Sequence, residues 1–75
     1  KAIATFIEML EDDDAMIRRT AVEILATIST DESANALRSV LDDSSARVRE
    51  AARSALERMQ NEGVVAPLAK KLEAT

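Results

Sequence analysis

Shifted by 31 residues, the chain matches itself. Leu10 aligns with Leu41 and then with Leu72. Asp12 aligns with Asp43, Ala15 with Ala46, Arg18 with Arg49, Ala21 with Ala52, Leu25 with Leu56 and Leu37 with Leu68. Self-similarity at a period of roughly 20–50 residues marks a stacked repeat architecture. Each unit is too small to bury its own apolar faces, so neighbouring units must share one continuous core.

The apolar residues recur at helical spacing in five segments. These are Ile3, Phe6, Ile7 and Leu10; Ile17, Ala21, Ile24, Leu25 and Ile28; Ala34, Leu37, Val40 and Leu41; Val48, Ala52, Ala55, Leu56 and Met59; and Val65, Leu68 and Leu72. The breaks recur too. Glu11–Asp14 and Asp42–Ser45 are polar four-residue connections. Asp14 and Ser45, or their neighbours Asp13 and Ser44, stand where a side-chain oxygen caps a helix start. Ser29–Asp31 and Gln60–Gly63 close the second and fourth helices. Pro67 falls inside the last segment, so that helix is expected to start late or irregularly. Short connections force antiparallel neighbours. The pattern predicts an all-α fold of five antiparallel helices in stacked hairpins. We expect a single domain over 1–75, with repeats at 1–30 and 31–61 and a half repeat at 62–75.

With 75 residues, the chain forms one small domain. A domain of this size buries only ~60% of its unfolded surface. It has no cysteine and no histidine, so disulfides and thiolate or imidazole metal sites are excluded. The apolar fraction of 47% is mostly Ala, Leu, Ile and Val, with Phe6 as the single aromatic residue. That palette suits closely packed helices. The net charge of −4 argues against a nucleic-acid partner, which needs a basic footprint. No apolar run reaches the ~20 residues that span a bilayer, so no membrane partner is expected. The chain starts at Lys1 rather than Met, and we expect a piece of a longer array. The lack of cysteine fits a cytoplasmic setting.

The stretch LDDSSARVREAARSALERMQNEGVVAPLAKKL, from Leu41 to Leu72, resembles the short HEAT-like repeat of the bilin-lyase (PBS-lyase) group. Asp43, Val48, Arg49, Ala52, Ala55, Leu56, Leu68 and Leu72 fill that pattern. Asp12, Ile17, Arg18, Ala21, Ile24, Leu25, Leu37 and Leu41 fill it in the preceding copy. The resemblance implies an α-α superhelix, a HEAT-like solenoid. It also implies that Asp12, Arg18, Asp43 and Arg49 form a structural ladder between repeats. The family often has glycine at the positions of Ala26, Glu57, Ser29 and Gln60, and proline at those of Asp13 and Ser44. These departures leave the turn geometry open.

Repetition also argues for a structural role of the Asp–Arg pairs, because a catalytic pair is normally unique. Glu11, Asp12, Asp13 and Asp14 lack the spacing of a calcium loop, and acidic residues are favoured before a helix. Without Cys or His, and with no serine in a G-x-S-x-G context, nucleophilic catalysis has no support. We therefore expect no catalytic, cofactor or metal site and no enzyme activity. Lys70, Lys71 and Glu73 read as an exposed helix end.

In a solenoid of this kind, the second helix of each hairpin lines the concave side. Ala15, Met16, Arg19, Thr20, Glu23 and Thr27 are then the candidate partner-binding positions of the first repeat. Ala46, Arg47, Glu50, Ala51, Ser54 and Arg58 are those of the second. Taken singly, such residues read as solvated helix faces with i, i+4 pairs such as Arg19–Glu23. Taken together, they make a mixed surface, with Met16 its most distinctive member. The expected function is a scaffold that binds a protein partner there. One alternative is a bilin-lyase-like domain, with Arg19, Arg47 and Arg58 meeting the propionates of a tetrapyrrole. Another is a purely structural segment of a larger protein. Apolar end helices, with Ile3, Phe6 and Ile7 at one end and Val64, Val65, Leu68 and Leu72 at the other, predict self-association.

Overall fold

Two hairpins stack so that equivalent helices lie side by side. The structure, a computed structural model, describes residues 2–63. In chain order it holds α1 (Ala2–Met9), α2 (Ala15–Ile28), α3 (Asp31–Arg38) and α4 (Ala46–Asn61). Hairpin contacts join α1 to α2 and α3 to α4, while α1 also touches α3 and α2 packs most extensively on α4. The result is an all-α stack two layers deep. The fifth predicted helix, with Pro67 and the apolar residues from Val64 onward, lies outside the described residues.

Local chemistry sets each boundary. The Asp14 carboxylate accepts from the Met16 N–H at 2.9 Å and caps α2, as its position predicts. Ser45 occupies the N-cap position of α4, but its side chain makes no capping bond. That expectation fails, although Asp43 accepts from the Ser45 N–H at 2.9 Å just as Asp12 accepts from the Asp14 N–H at 2.8 Å. α2 ends at Ser29, whose backbone is left-handed at φ 55° and ψ 50°. This is a position where the resembled family often carries glycine, which tolerates that conformation best. The hydroxyl of Ser29 donates to the Ala26 carbonyl at 2.6 Å. Only Ser29 and Thr30 separate α2 from α3. There the Thr30 hydroxyl accepts from the Ser33 N–H at 3.1 Å, and the Ser33 hydroxyl accepts from the Thr30 N–H at 2.8 Å. This capping box leaves the wholly buried Ser33 side chain satisfied.

The core runs between the layers. Leu25 and Leu37 are fully buried at its centre, with Ala21, Val22, Ala26, Ala34, Val48, Ala52, Ala55 and Met59 around them. Small residues at the α2–α4 contact let those helices approach closely. The apolar stripe of α4 is buried throughout, as the periodicity predicts. The stripe of α2 is not. Ile17 is 37% exposed, whereas Val48, its equivalent one repeat later, is fully buried. Ile24 and Ile28 are half-buried, and Leu41 is exposed. Hydrophobic periodicity marks which side of a helix is apolar. Burial also needs a neighbour on that side, and among the described residues no helix covers the side of α2 that faces away from α4 and carries Ile17.

Candidate functional site

Two polar arrangements grow from the repeat. The first is the Asp–Arg ladder. Arg18 projects from the first turn of α2 across to the linker that precedes α4. Its Nε donates to Asp43 Oδ1 at 2.9 Å and its Nη2 to Asp43 Oδ2 at 3.1 Å. Its Nη1 donates to the carbonyls of Asp12 at 2.7 Å and Asp13 at 3.1 Å. One guanidinium therefore ties its own linker to the carboxylate of the next, a geometry that suits its planar fork. The two side chains are only 13% and 10% exposed. The arginine beside Asp43 holds that carboxyl below the usual carboxylate range, and the Ser45 N–H adds to the effect against the opposing cost of burial. The same hydrogen bond raises Arg18 above the ordinary arginine value.

Arg49 repeats half of this arrangement, with Nη1 donating to the Asp43 carbonyl at 2.7 Å. Asp12 repeats the other half, its Oδ1 accepting from the Asp14 N–H at 2.8 Å. Of the acidic connection Glu11–Asp14, two carboxylates are thus engaged in backbone turns. Among the described residues, no group of three acidic side chains is arranged to hold a metal ion.

The second arrangement is a groove between α2 and α4. Two adjoining open depressions of about 440 and 450 Å³ run along it. Val22, Ala26, Ala51 and Ala55 form an apolar floor, with Arg19, Glu23, Thr27, Ser54 and Arg58 around it. Arg47 and Glu50 join Arg19 at one end, beside a small hollow lined by Ala15, Met16 and Ser45. At the other end, Thr27 and Arg58 meet Ser29 and Glu62. Met16 is 72% exposed. Arg19 and Glu23 pair at 3.5 Å in solvent, a contact worth little by itself, so both remain free to meet another molecule.

Most of the sequence-derived surface positions therefore gather on one groove. Thr20 and Ala46 are exposed but do not line it. The Thr20 hydroxyl donates back to the Met16 carbonyl at 2.9 Å. The floor residues Val22, Ala26 and Ala55 were not among the sequence candidates. Periodicity places Ala55 in the apolar stripe of α4 and leaves Val22 and Ala26 outside that of α2, and only the gap between the two helices shows that all three floor a groove. No helix among the described residues is long and apolar enough to cross a membrane.

A family model described as HEAT repeats matches residues 2–75. No curated protein and no solved structure matches the chain. The stacked hairpins, the shared core and the Arg18–Asp43 tie between units are the physical content of that match, and the chain belongs to the HEAT repeat family.

Proposed function

We propose that this chain is a non-catalytic interaction module that holds a protein partner in the α2–α4 groove. HEAT repeats generally mediate protein–protein interaction or scaffolding. Stacked repeats do so by presenting an extended concave surface.

One observation carries the reading. Residues that break the 31-residue repeat, Met16 against Arg47 and Arg19 against Glu50, gather at one end of a single groove. Repeating positions are accounted for by the core and the ladder. Met16, Arg19, Arg47 and Glu50 are exposed, do little for the stack and are left to specify a partner. Met16 supplies an adaptable apolar contact at that end of the groove. Arg19, Arg47 and Arg58 supply forked donors along its walls.

Affinity capture with the whole chain tests this. A partner retained by the wild type and by Arg53→Glu, but lost with Arg19→Glu and Arg58→Glu, supports the groove. A partner that ignores both groove changes overturns it. Mixing the chain with a bilin separates the tetrapyrrole alternative, because a shift in bilin absorbance would favour that chemistry over a protein partner.

A further inference from the structure

Sulfur is unevenly placed in this chain. There are three methionines and no cysteine. Met59 is 1% exposed, and Met9 is half-buried against the core. Met16 is 72% exposed, more than any other large apolar side chain among the described residues. An oxidant that reaches this surface therefore meets one accessible sulfur, with no thiolate to compete for it.

The backbone that carries this sulfur is pinned. The Met16 N–H donates to the Asp14 carboxylate at 2.9 Å, and the Met16 carbonyl accepts from the Thr20 hydroxyl at 2.9 Å. Only the side chain is free to respond. It borders a hollow of about 70 Å³ together with Ala15, Arg19, Ser45 and Arg47. Arg19 meets Glu23 at 3.5 Å in solvent, and among the described residues Arg47 has no ion-pair partner. Glu50 lines the adjoining depression and not this hollow. A thioether is a weak acceptor and offers the two guanidiniums little. A sulfoxide puts a polar oxygen in the same place, and an oxygen acceptor is what a guanidinium fork binds.

We propose that Met16 is an oxidation switch at the end of the α2–α4 groove, with a peroxide as the oxidant. The sulfur lone pair attacks one oxygen of hydrogen peroxide, the O–O bond breaks and an S–O bond forms. The second oxygen leaves as water, taking both protons. Sulfur loses two electrons and the peroxide gains them. The new oxygen accepts from Arg19 or Arg47, which draws the side chain over the hollow. That end of the groove loses its apolar contact and its free forks together. Reduction by a dithiol, through a methionine sulfoxide reductase, returns the oxygen as water and restores both. The use of this chemistry as a switch rests on the groove reading. The oxidation and the arginine contact do not.

Treatment of the whole chain with hydrogen peroxide tests the proposal. Peptide mass mapping places each added oxygen, and NMR of the arginine Nε–H groups follows the forks. Met16 should take up one oxygen at least ~10-fold faster than Met9 or Met59. The Arg19 or Arg47 signal should then shift, while that of Arg53, which does not line the groove, stays in place. Circular dichroism should not change, and a methionine sulfoxide reductase should return the spectrum to its start. Met16→Leu keeps an apolar side chain at an exposed position, so it should fold, take up no oxygen there and show no arginine shift. Four outcomes would each overturn the proposal: oxidation of Met9 or Met59 at a similar rate, unmoved signals of both Arg19 and Arg47, the same arginine shift in Met16→Leu, or loss of helix when Met16 is oxidised. None of these readouts uses a partner, so their failure leaves the groove reading standing. A partner indifferent to Arg19→Glu and Arg58→Glu sinks that reading and leaves the chemistry.

Discussion

Arg18 and Asp43 are 25 residues apart in the chain and meet through two parallel hydrogen bonds of 2.9 and 3.1 Å. The same guanidinium holds the Asp12 carbonyl at 2.7 Å, so one side chain fixes the linker of each hairpin. Arg49 occupies the equivalent place one repeat later and holds the Asp43 carbonyl at 2.7 Å, but among the described residues no carboxylate meets it. Arg18→Lys replaces a fork by a single ammonium and cannot keep both carboxylate oxygens and the carbonyl. It should lower the thermal unfolding midpoint clearly more than Arg49→Lys. Equal losses would show that the carbonyl contacts, common to both arginines, carry the whole effect.

Acid should dissolve the same tie. The folded-state pKa of Asp43 lies below its unfolded value, chiefly because of Arg18 and then the Ser45 N–H. A depressed carboxyl contributes stability that is complete above the unfolded value of about 3.9 and is lost as pH falls through the folded value. Urea midpoints of wild type and Asp43→Asn should differ by a constant amount from about pH 5 to 8 and converge below about pH 4. A gap that persists unchanged in acid would mean that Asp43 acts through shape and not charge.

Much of this was legible in the sequence, and the omissions share a cause. The 31-residue match predicts the hairpins and the buried stripe of α4, while the family resemblance implies a ladder of linker aspartates and helix arginines without giving the Arg18–Asp43 partnership. The match treats positions 31 apart as equivalent. Neighbours are not equivalent at the ends of a stack, so Ile17 lies exposed where Val48 is buried. The capping box of Thr30 and Ser33 also escaped notice, because serine at its far end replaces the usual Glu or Gln. Most groove positions differ between the two repeats, Ala15 and Ala46 excepted. Their gathering on one surface, and the floor of Val22 and Ala55, follow from the α2–α4 packing that only the structure supplies.

The helix caps offer a contrast between two positions that look alike. Asp14 caps α2 through its side chain, so Asp14→Ala should cost about 1 kcal/mol. In a domain of this size that is a fall of roughly 4–8 °C in midpoint. Ser45 makes no such bond, so Ser45→Ala should change stability by no more than about 0.5 kcal/mol, as for an ordinary surface substitution. Chemical denaturation of both variants checks this. A matching loss in Ser45→Ala would show that its hydroxyl caps α4 in solution.

The turn after α2 makes the sharpest prediction, because introducing glycine at two positions 31 residues apart should have opposite signs. Ser29 holds a left-handed backbone at φ 55°, a conformation that costs a residue with a Cβ but not glycine. Ser29→Gly should therefore stabilise the chain, by about 0.5–1 kcal/mol. The gain is reduced by loss of the 2.6 Å bond from the hydroxyl to the Ala26 carbonyl. Gln60 is the equivalent residue, and the resembled family often has glycine there too. Here α4 runs on to Asn61, and the left-handed turn falls on Gly63 at φ 82°. Glycine at position 60 would thus enter the last turn of a helix, where it costs up to about 1 kcal/mol. Thermal melts of Ser29→Gly and Gln60→Gly should move in opposite directions. Both rising would mean that α4 stops where α2 does, two residues earlier than Asn61, with its turn at Gln60.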